Sequence, residues 1–297
     1  MFKNKSIFIS GGTGSFGQAF VKKILNSENF KDIKKLIIYS RDELKQTNML
    51  HKINKNNLKK VRFYIGDIRD GKRLNRALEG IDIVIHAAAL KQVPIAEQNP
   101  MEFIKTNVVG AHNLVEACLD NSVENVIALS TDKAVSPINL YGATKLCSDK
   151  IFTSANLIKG NKKIKFSVVR YGNVFGSRGS VVPIFLDQVK SKNFTITHKD
   201  MTRFNITLDQ AIDMVIWTLN NNIGGEIFVP KVSSYKILDL AKAIDPTCKI
   251  NLMGVRPGEK IYEELISKAD SINTYDIKNY FSLVEKTQLK VIEHYDK

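Results

Sequence analysis

The chain has 297 residues, 43% of them hydrophobic, enough to bury the core of one large α/β domain or of a domain with a smaller annex. Its formal charge of +14 suits anionic small molecules; the lysines are dispersed, with one notable cluster at 52–60 and no reader motif, which argues against nucleic acid. No apolar run approaches the ~20 residues of a membrane span, the N-terminus lacks signal-peptide anatomy, and Cys118, Cys147 and Cys248 form neither a zinc pattern nor a disulfide framework, so a cytoplasmic protein without membrane or metal is expected.

Residues 6–10 form a short apolar strand. It runs into Gly11-Gly12-Thr13-Gly14-Ser15-Phe16-Gly17 and then a helix carrying Phe16, Ala19, Phe20 and Ile24 on one stripe. Glycines at 11, 14 and 17 leave the backbone open to a pyrophosphate, and the helix N-terminus supplies free N–H groups and a partial positive charge. Strand, glycines and helix in that order predict a dinucleotide site that includes Ser15 and Phe16. A second strand, 36–39, ends at Ser40-Arg41-Asp42-Glu43-Leu44-Lys45. Arg41 and Lys45 suit a 2′-phosphate better than a bare ribose hydroxyl, so NADP is expected over NAD, with Asp42 and Glu43 as the counter-signal.

The third strand, 61–65, closes on Gly66-Asp67-Ile68. Asp67 and Ile68 are placed for the adenine edge, although Asp67 also fits as a cap for the next helix. The fourth strand, 81–85, opens into His86-Ala87-Ala88-Ala89-Leu90-Lys91, where small residues admit the cofactor and His86 reads as a packed strand-end residue. Asn107, Val108 and Ala111 share the following helix. The fifth strand, 125–129, delivers Thr131, Asp132 and Lys133. Ten residues after Thr131, a helix presents Tyr141 and Lys145 on one face. A phenol with an unperturbed pKa of ~10 is a poor base at neutral pH, and a fixed ammonium beside it is expected to lower that value. The sixth strand, 166–170, ends near Asn173.

Strands alternating with helices predict a doubly wound parallel sheet of the Rossmann type over residues 1–176, with ligands beyond the carboxyl ends of the strands. After Gly176 the pattern loosens, and 177–297 is expected to be mainly a smaller substrate lobe with an interwoven boundary. Arg178, Arg203 and Arg256 on its loops are candidates for clamping a diphosphate.

Gly11-x-x-Gly14-x-x-Gly17 with Tyr141-x-x-x-Lys145 resembles the extended short-chain dehydrogenase/reductase family, which works mostly on nucleotide-diphosphate sugars. Residues 10–17, 39–46, 87–94, 129–134, 139–145 and 256–260 are similar to the branch that removes water from UDP-N-acetylglucosamine across C5 and C6 with inversion at C5, toward pseudaminic acid. Hexose dehydratases of deoxysugar pathways carry Asp-Glu at the place of Asp132-Lys133. Membrane-anchored retaining dehydratases tend to have Met at the place of Tyr141. Two departures are Tyr262, where His is more usual, and an earlier end to the chain.

The resemblance implies roles for these residues. Tyr141 takes the C4 hydroxyl proton as hydride passes to NADP, Lys133 removes the C5 proton, and Asp132 protonates the departing C6 hydroxyl. Thr131 holds the C4 oxygen, Lys145 also holds the nicotinamide ribose, and Lys91 and Asn173 hold substrate, with Val182 and Glu259 as further contacts. Lys133 must be neutral to act as a base. Asp132 and Lys133 are expected to point to opposite sides, so that Lys145 and the oxidised nicotinamide oppose its ammonium. A homo-oligomer is also implied. The alternatives are a 4-epimerase, a retaining dehydratase of a UDP-sugar, and a non-catalytic NADP-binding protein.

Overall fold

The computed structural model describes residues 2–177, 180–285, 291 and 294–295. In chain order its strands are β1 (Ser6–Ser10), β2 (Lys35–Ser40), β3 (Val61–Ile65), β4 (Ile83–His86), β5 (Asn125–Thr131), β6 (Lys165–Tyr171), β7 (Asn173–Val174), β8 (Asn193–Ile196), β9 (Thr202–Ile206), β10 (Glu226–Pro230), β11 (Ser234–Lys236), β12 (Lys249–Leu252), β13 (Thr274–Ile277) and β14 (Tyr280–Val284). The α-helices are α1 (Ser15–Asn26), α2 (Glu43–Leu50), α3 (Lys55–Leu58), α4 (Gly71–Ala77), α5 (Val93–Gln98), α6 (Pro100–Phe103), α7 (Gly110–Asp120), α8 (Leu140–Ile158), α9 (Val181–Gln188), α10 (Leu208–Asn221) and α11 (Ile237–Ile244). A π-helical turn, Ile104–Val109, joins α6 to α7.

The large sheet runs β13-β14-β10-β6-β5-β4-β1-β2-β3, parallel from β3 to β10 and antiparallel at β14 and β13. Strands β1 and β4 are buried along their whole length, which is why they read as continuous apolar runs and not as alternating ones. One face is covered by Leu74 of α4, Leu114 and Cys118 of α7, and Phe152 of α8. The other is covered by Phe20 and Ile24 of α1 and by Ile212 and Val215 of α10. This is the expected doubly wound arrangement.

The residues after Gly176 divide between the large sheet and a smaller layer. Within residues 224–230, read from the sequence as part of the smaller lobe, Glu226–Pro230 forms β10 and extends the large sheet beside β6, and β13 and β14 follow. Periodicity alone does not say which sheet a strand joins. The remainder is a small layer in which Phe185, Phe194, Ile196, Met201 and Ile237 pack together, with β8 paired to β12. The short sheet β11-β9-β7 bridges this layer to the end of β6. Among the described residues no helix is long and apolar enough to cross a membrane.

Candidate active site

The carboxyl ends of β1, β4, β5 and β6 open onto two contiguous cavities of about 610 Å³ and 440 Å³. Gly11, Gly14, Ser15, Ala87 and Lys91 line both. At the first turn of α1, a Cβ on Gly17 would lie 2.5 Å from the Gly12 Cα, so only glycine lets the helix start this close to the turn. Gly14 caps that helix without any side-chain bond, which leaves its leading N–H groups for an anion. The donors and the close-packed turn fit a dinucleotide pyrophosphate.

The first cavity also meets Ser40, Arg41, Asp42, Lys45, Asp67 and Ile68. Arg41 lies 3.5 Å from Asp67, and Lys45 pairs with Asp42 at 2.6 Å. Asp42 is committed to α2, accepting from the Lys45 N–H as its N-cap, and Glu43 does not line the cavity. Burial works against ionised Asp67, but the Arg69 guanidinium grips it and, with Arg41, holds it below the usual carboxylate range. The alternative reading of Asp67 as a helix cap fails, because Asp70 caps α4.

The second cavity gathers Phe16, Gly17, Thr131, Lys133, Tyr141, Lys145 and Asn173. Two local features bring the Tyr141 helix to the end of β5. Asn139 accepts from the Gly142 N–H at 2.8 Å and caps α8. A Cβ on Gly142 would lie 2.2 Å from the Lys133 carbonyl oxygen, so glycine there allows contact between helix and strand end. Tyr141 hydrogen-bonds the Thr131 side chain. Thr131 Oγ1 donates to Asp132 Oδ1 at 2.8 Å, and Lys133 Nζ donates to the same oxygen at 3.0 Å.

Two expectations about this cluster are corrected. Asp132 and Lys133 do not diverge; the tight Asp132–Ala134 turn after β5 breaks the strand alternation and folds them together. Lys145 does not lower the Tyr141 pKa either. Burial raises it above the ordinary phenol value, and Asp132 and Asp149 raise it further, while the Thr131 bond only partly offsets this. Lys145 Nζ instead donates to the Leu129 carbonyl at 2.7 Å, and its own pKa is lowered by burial. Desolvation of the buried phenol and amine is the largest cause of both shifts.

Other candidates lie elsewhere. Arg178 is outside the described residues. Val182, Arg203, Arg256 and Glu259 line neither cavity. Buried Arg203 donates to the Thr202 and Ile261 carbonyls, and Arg256 is bound to Glu259 through contacts of 2.5 and 3.0 Å. His86 is buried, shares a 2.8 Å bond with Ser10, and has its pKa pushed down to about 3 by burial and then by Lys145. Among the described residues the Asn173 Oδ1 is buried with no partner, which leaves it for a ligand.

Three contributors escaped the sequence. Asn107, on the π-helical turn, clips both the N–H and the carbonyl of Leu90 at 2.9 Å and so fixes the loop that bears Lys91. Behind the Tyr141 helix, Asp149 accepts from Ser130 at 2.7 Å and from buried Arg170 at 3.2 Å. The spacing of Tyr141, Lys145 and Asp149 along one helical face was a signal for it. Glu263 reaches Lys133 from a distant segment, and nothing in the sequence marks that contact.

A family model described as polysaccharide biosynthesis protein matches residues 7–285. The UDP-N-acetylglucosamine 4,6-dehydratase (inverting) of Campylobacter jejuni subsp. jejuni serotype O:23/36 is 52% identical over 291 residues, covering 97% of this chain and 85% of that protein. A UDP-glucose 4-epimerase of Rickettsia bellii is 44% identical over 288 residues, covering 95% and 84%. Among solved structures, Pen from Bacillus thuringiensis superposes with a TM-score of 0.89 at 36% identity, covering 97% of this chain and 90% of that one.

Proposed function

The chain belongs to the polysaccharide biosynthesis protein family of extended short-chain dehydrogenases/reductases, and on that basis we propose that it is a UDP-N-acetylglucosamine 4,6-dehydratase. It inverts C5, yields UDP-2-acetamido-2,6-dideoxy-β-L-arabino-hexos-4-ulose, and so opens a route toward pseudaminic acid. The observation that carries this reading is the Asp132–Lys133 contact beside Tyr141 and Thr131, at 3.0 Å. A hydride-transfer site alone needs no such second acid/base pair.

A bound dinucleotide would supply the hydride chemistry, as acceptor at C4 and donor at C6. Tyr141 takes the C4 hydroxyl proton, and Thr131 holds the C4 oxygen. Lys145, anchored on Leu129, steadies the nicotinamide ribose. A proton passing from Lys133 Nζ to Asp132 Oδ1 converts the ion pair into amine and carboxylic acid without exchange with solvent. The amine then takes the C5 proton. Asp132 is fully buried, and among the described residues its side chain hydrogen-bonds Thr131 and Lys133, so its proton reaches the C6 hydroxyl past those two groups. Reprotonation of C5 from the opposite face inverts it. Arg41 and Lys45 support NADP over NAD, with Asp67 and Asp42 as the partners a 2′-phosphate must displace.

The 44% identity to a protein named as a UDP-glucose 4-epimerase favours one other reading, a UDP-sugar 4-epimerase. Incubating the protein with NADP and UDP-N-acetylglucosamine in heavy water separates the two. A product lighter by one water, with deuterium at C5 and inverted C5 coupling, is expected; an isomer of unchanged mass sinks the dehydratase reading in favour of the epimerase.

A further inference from the structure

We propose that Glu263 is a positioning residue for Lys133: its carboxylate is the counter-ion that orients Nζ and stabilises the ammonium formed when Lys133 takes the C5 proton. This deepens the dehydratase reading and rests on it. Glu263 Oε1 lies 3.5 Å from Lys133 Nζ, and the Glu263 side chain is only 3% exposed. Among the described residues its Oε2 is buried with no hydrogen-bond partner. A lone buried carboxylate costs several kcal/mol unless a cation compensates it, and among the described residues the cation in ion-pair range is Lys133. Of the three charged groups Asp132, Lys133 and Glu263, only Lys133 lines the cavity.

The placement is held from several sides. Lys260 donates to the Val135 carbonyl at 2.7 Å, Asn139 to the Gly258 carbonyl at 2.8 Å, and the Thr202 N–H to the Ile261 carbonyl at 3.0 Å. The first two bonds stitch the 256–263 segment to the loop between β5 and α8, the third ties it to β9, and together they carry Glu263 across to the end of β5.

A second carboxylate matters because the first one changes charge during the step. Once the Lys133 proton has moved to Asp132, Asp132 is a neutral acid and no longer a counter-ion. The amine then breaks the C5–H bond, the proton joins Nζ, and the electron pair enters the C4–C5 enolate. At that moment Glu263 is the anion left beside the new ammonium. The enolate expels the C6 oxygen, which leaves as water with the Asp132 proton, and Asp132 becomes a carboxylate again. A base held by a third, charged group is the general logic of catalytic triads.

The test uses the full chain with NADP and UDP-N-acetylglucosamine in heavy water, comparing wild type, Glu263→Gln and Glu263→Asp. Glu263→Gln keeps the shape and removes the charge. Its transient NADPH absorbance, which reports C4 oxidation, is expected at the wild-type rate. Deuterium entry at C5 and loss of water are expected to slow by about 10²-fold, with a larger isotope effect on substrate deuterated at C5 and partial recovery in Glu263→Asp. Wild-type C5 exchange in Glu263→Gln overturns the proposal. So does equal loss of both steps with a lowered melting temperature in both variants, which makes Glu263 merely structural. Wild-type protein that never eliminates water fails the dehydratase reading itself, a result visible before any variant is compared.

Discussion

Lys133 stands between Asp132 at 3.0 Å and Glu263 at 3.5 Å, with its amine at the cavity wall and both carboxylates behind it. The same proton count can therefore be held as an ion pair or as an amine beside an acid. Lys133→Ala is expected to leave the rise in NADPH absorbance intact while cutting C5 deuterium uptake and water loss by about 10²–10⁴-fold, the usual range for a general base. Unchanged deuterium uptake would remove Lys133 from that role. Tyr141 belongs to the earlier step; burial holds the phenol protonated above its ordinary range, so its work as a base there requires the positive charge of an oxidised nicotinamide to favour the phenolate.

Helix α8 is the element on which the two halves of the chemistry meet. Asn139 both caps it through the Gly142 N–H and donates to the Gly258 carbonyl, so one side chain ties the Tyr141 helix to the segment that brings Glu263. Asn139→Ala is expected to lower unfolding stability by about 1 kcal/mol, the typical worth of an N-cap. Turnover should fall as well, because the 256–263 segment loses an anchor. Denaturant unfolding and product formation measured on one preparation test both parts. A stability loss with unchanged turnover would mean that the Gly258 tie is idle.

For the molecule as a whole, His86 makes stability depend on pH. It is neutral in the folded state down to about pH 3, whereas an unfolded histidine takes a proton near its ordinary value of ~6.5. The unfolded state therefore binds the extra proton, and stability is lost as pH falls from about 6.5 toward 3. Relative to His86→Gln, the wild type should lose about 1.4 kcal/mol per pH unit in that window. Denaturant melts of both proteins at pH 7.5 and 5.0 check this; a constant difference between them would show that His86 is not the group responsible.

The glycine turn, the order of the first six strands, and the pairing of Tyr141 with Lys145 were legible in the sequence because each is local. Close-packed glycines, β-branched runs and helical spacing act within a few residues, so chain order carries them. What the tertiary structure alone decided is long-range: residues 226–230 joining the large sheet, Arg203 and Arg256 turning to carbonyls and to Glu259, and Glu263 arriving at Lys133. These depend on which surfaces meet and on how much water they exclude. Burial of Tyr141 and Lys145 is likewise a property of the closed crevice, and it reversed an inference drawn from their spacing.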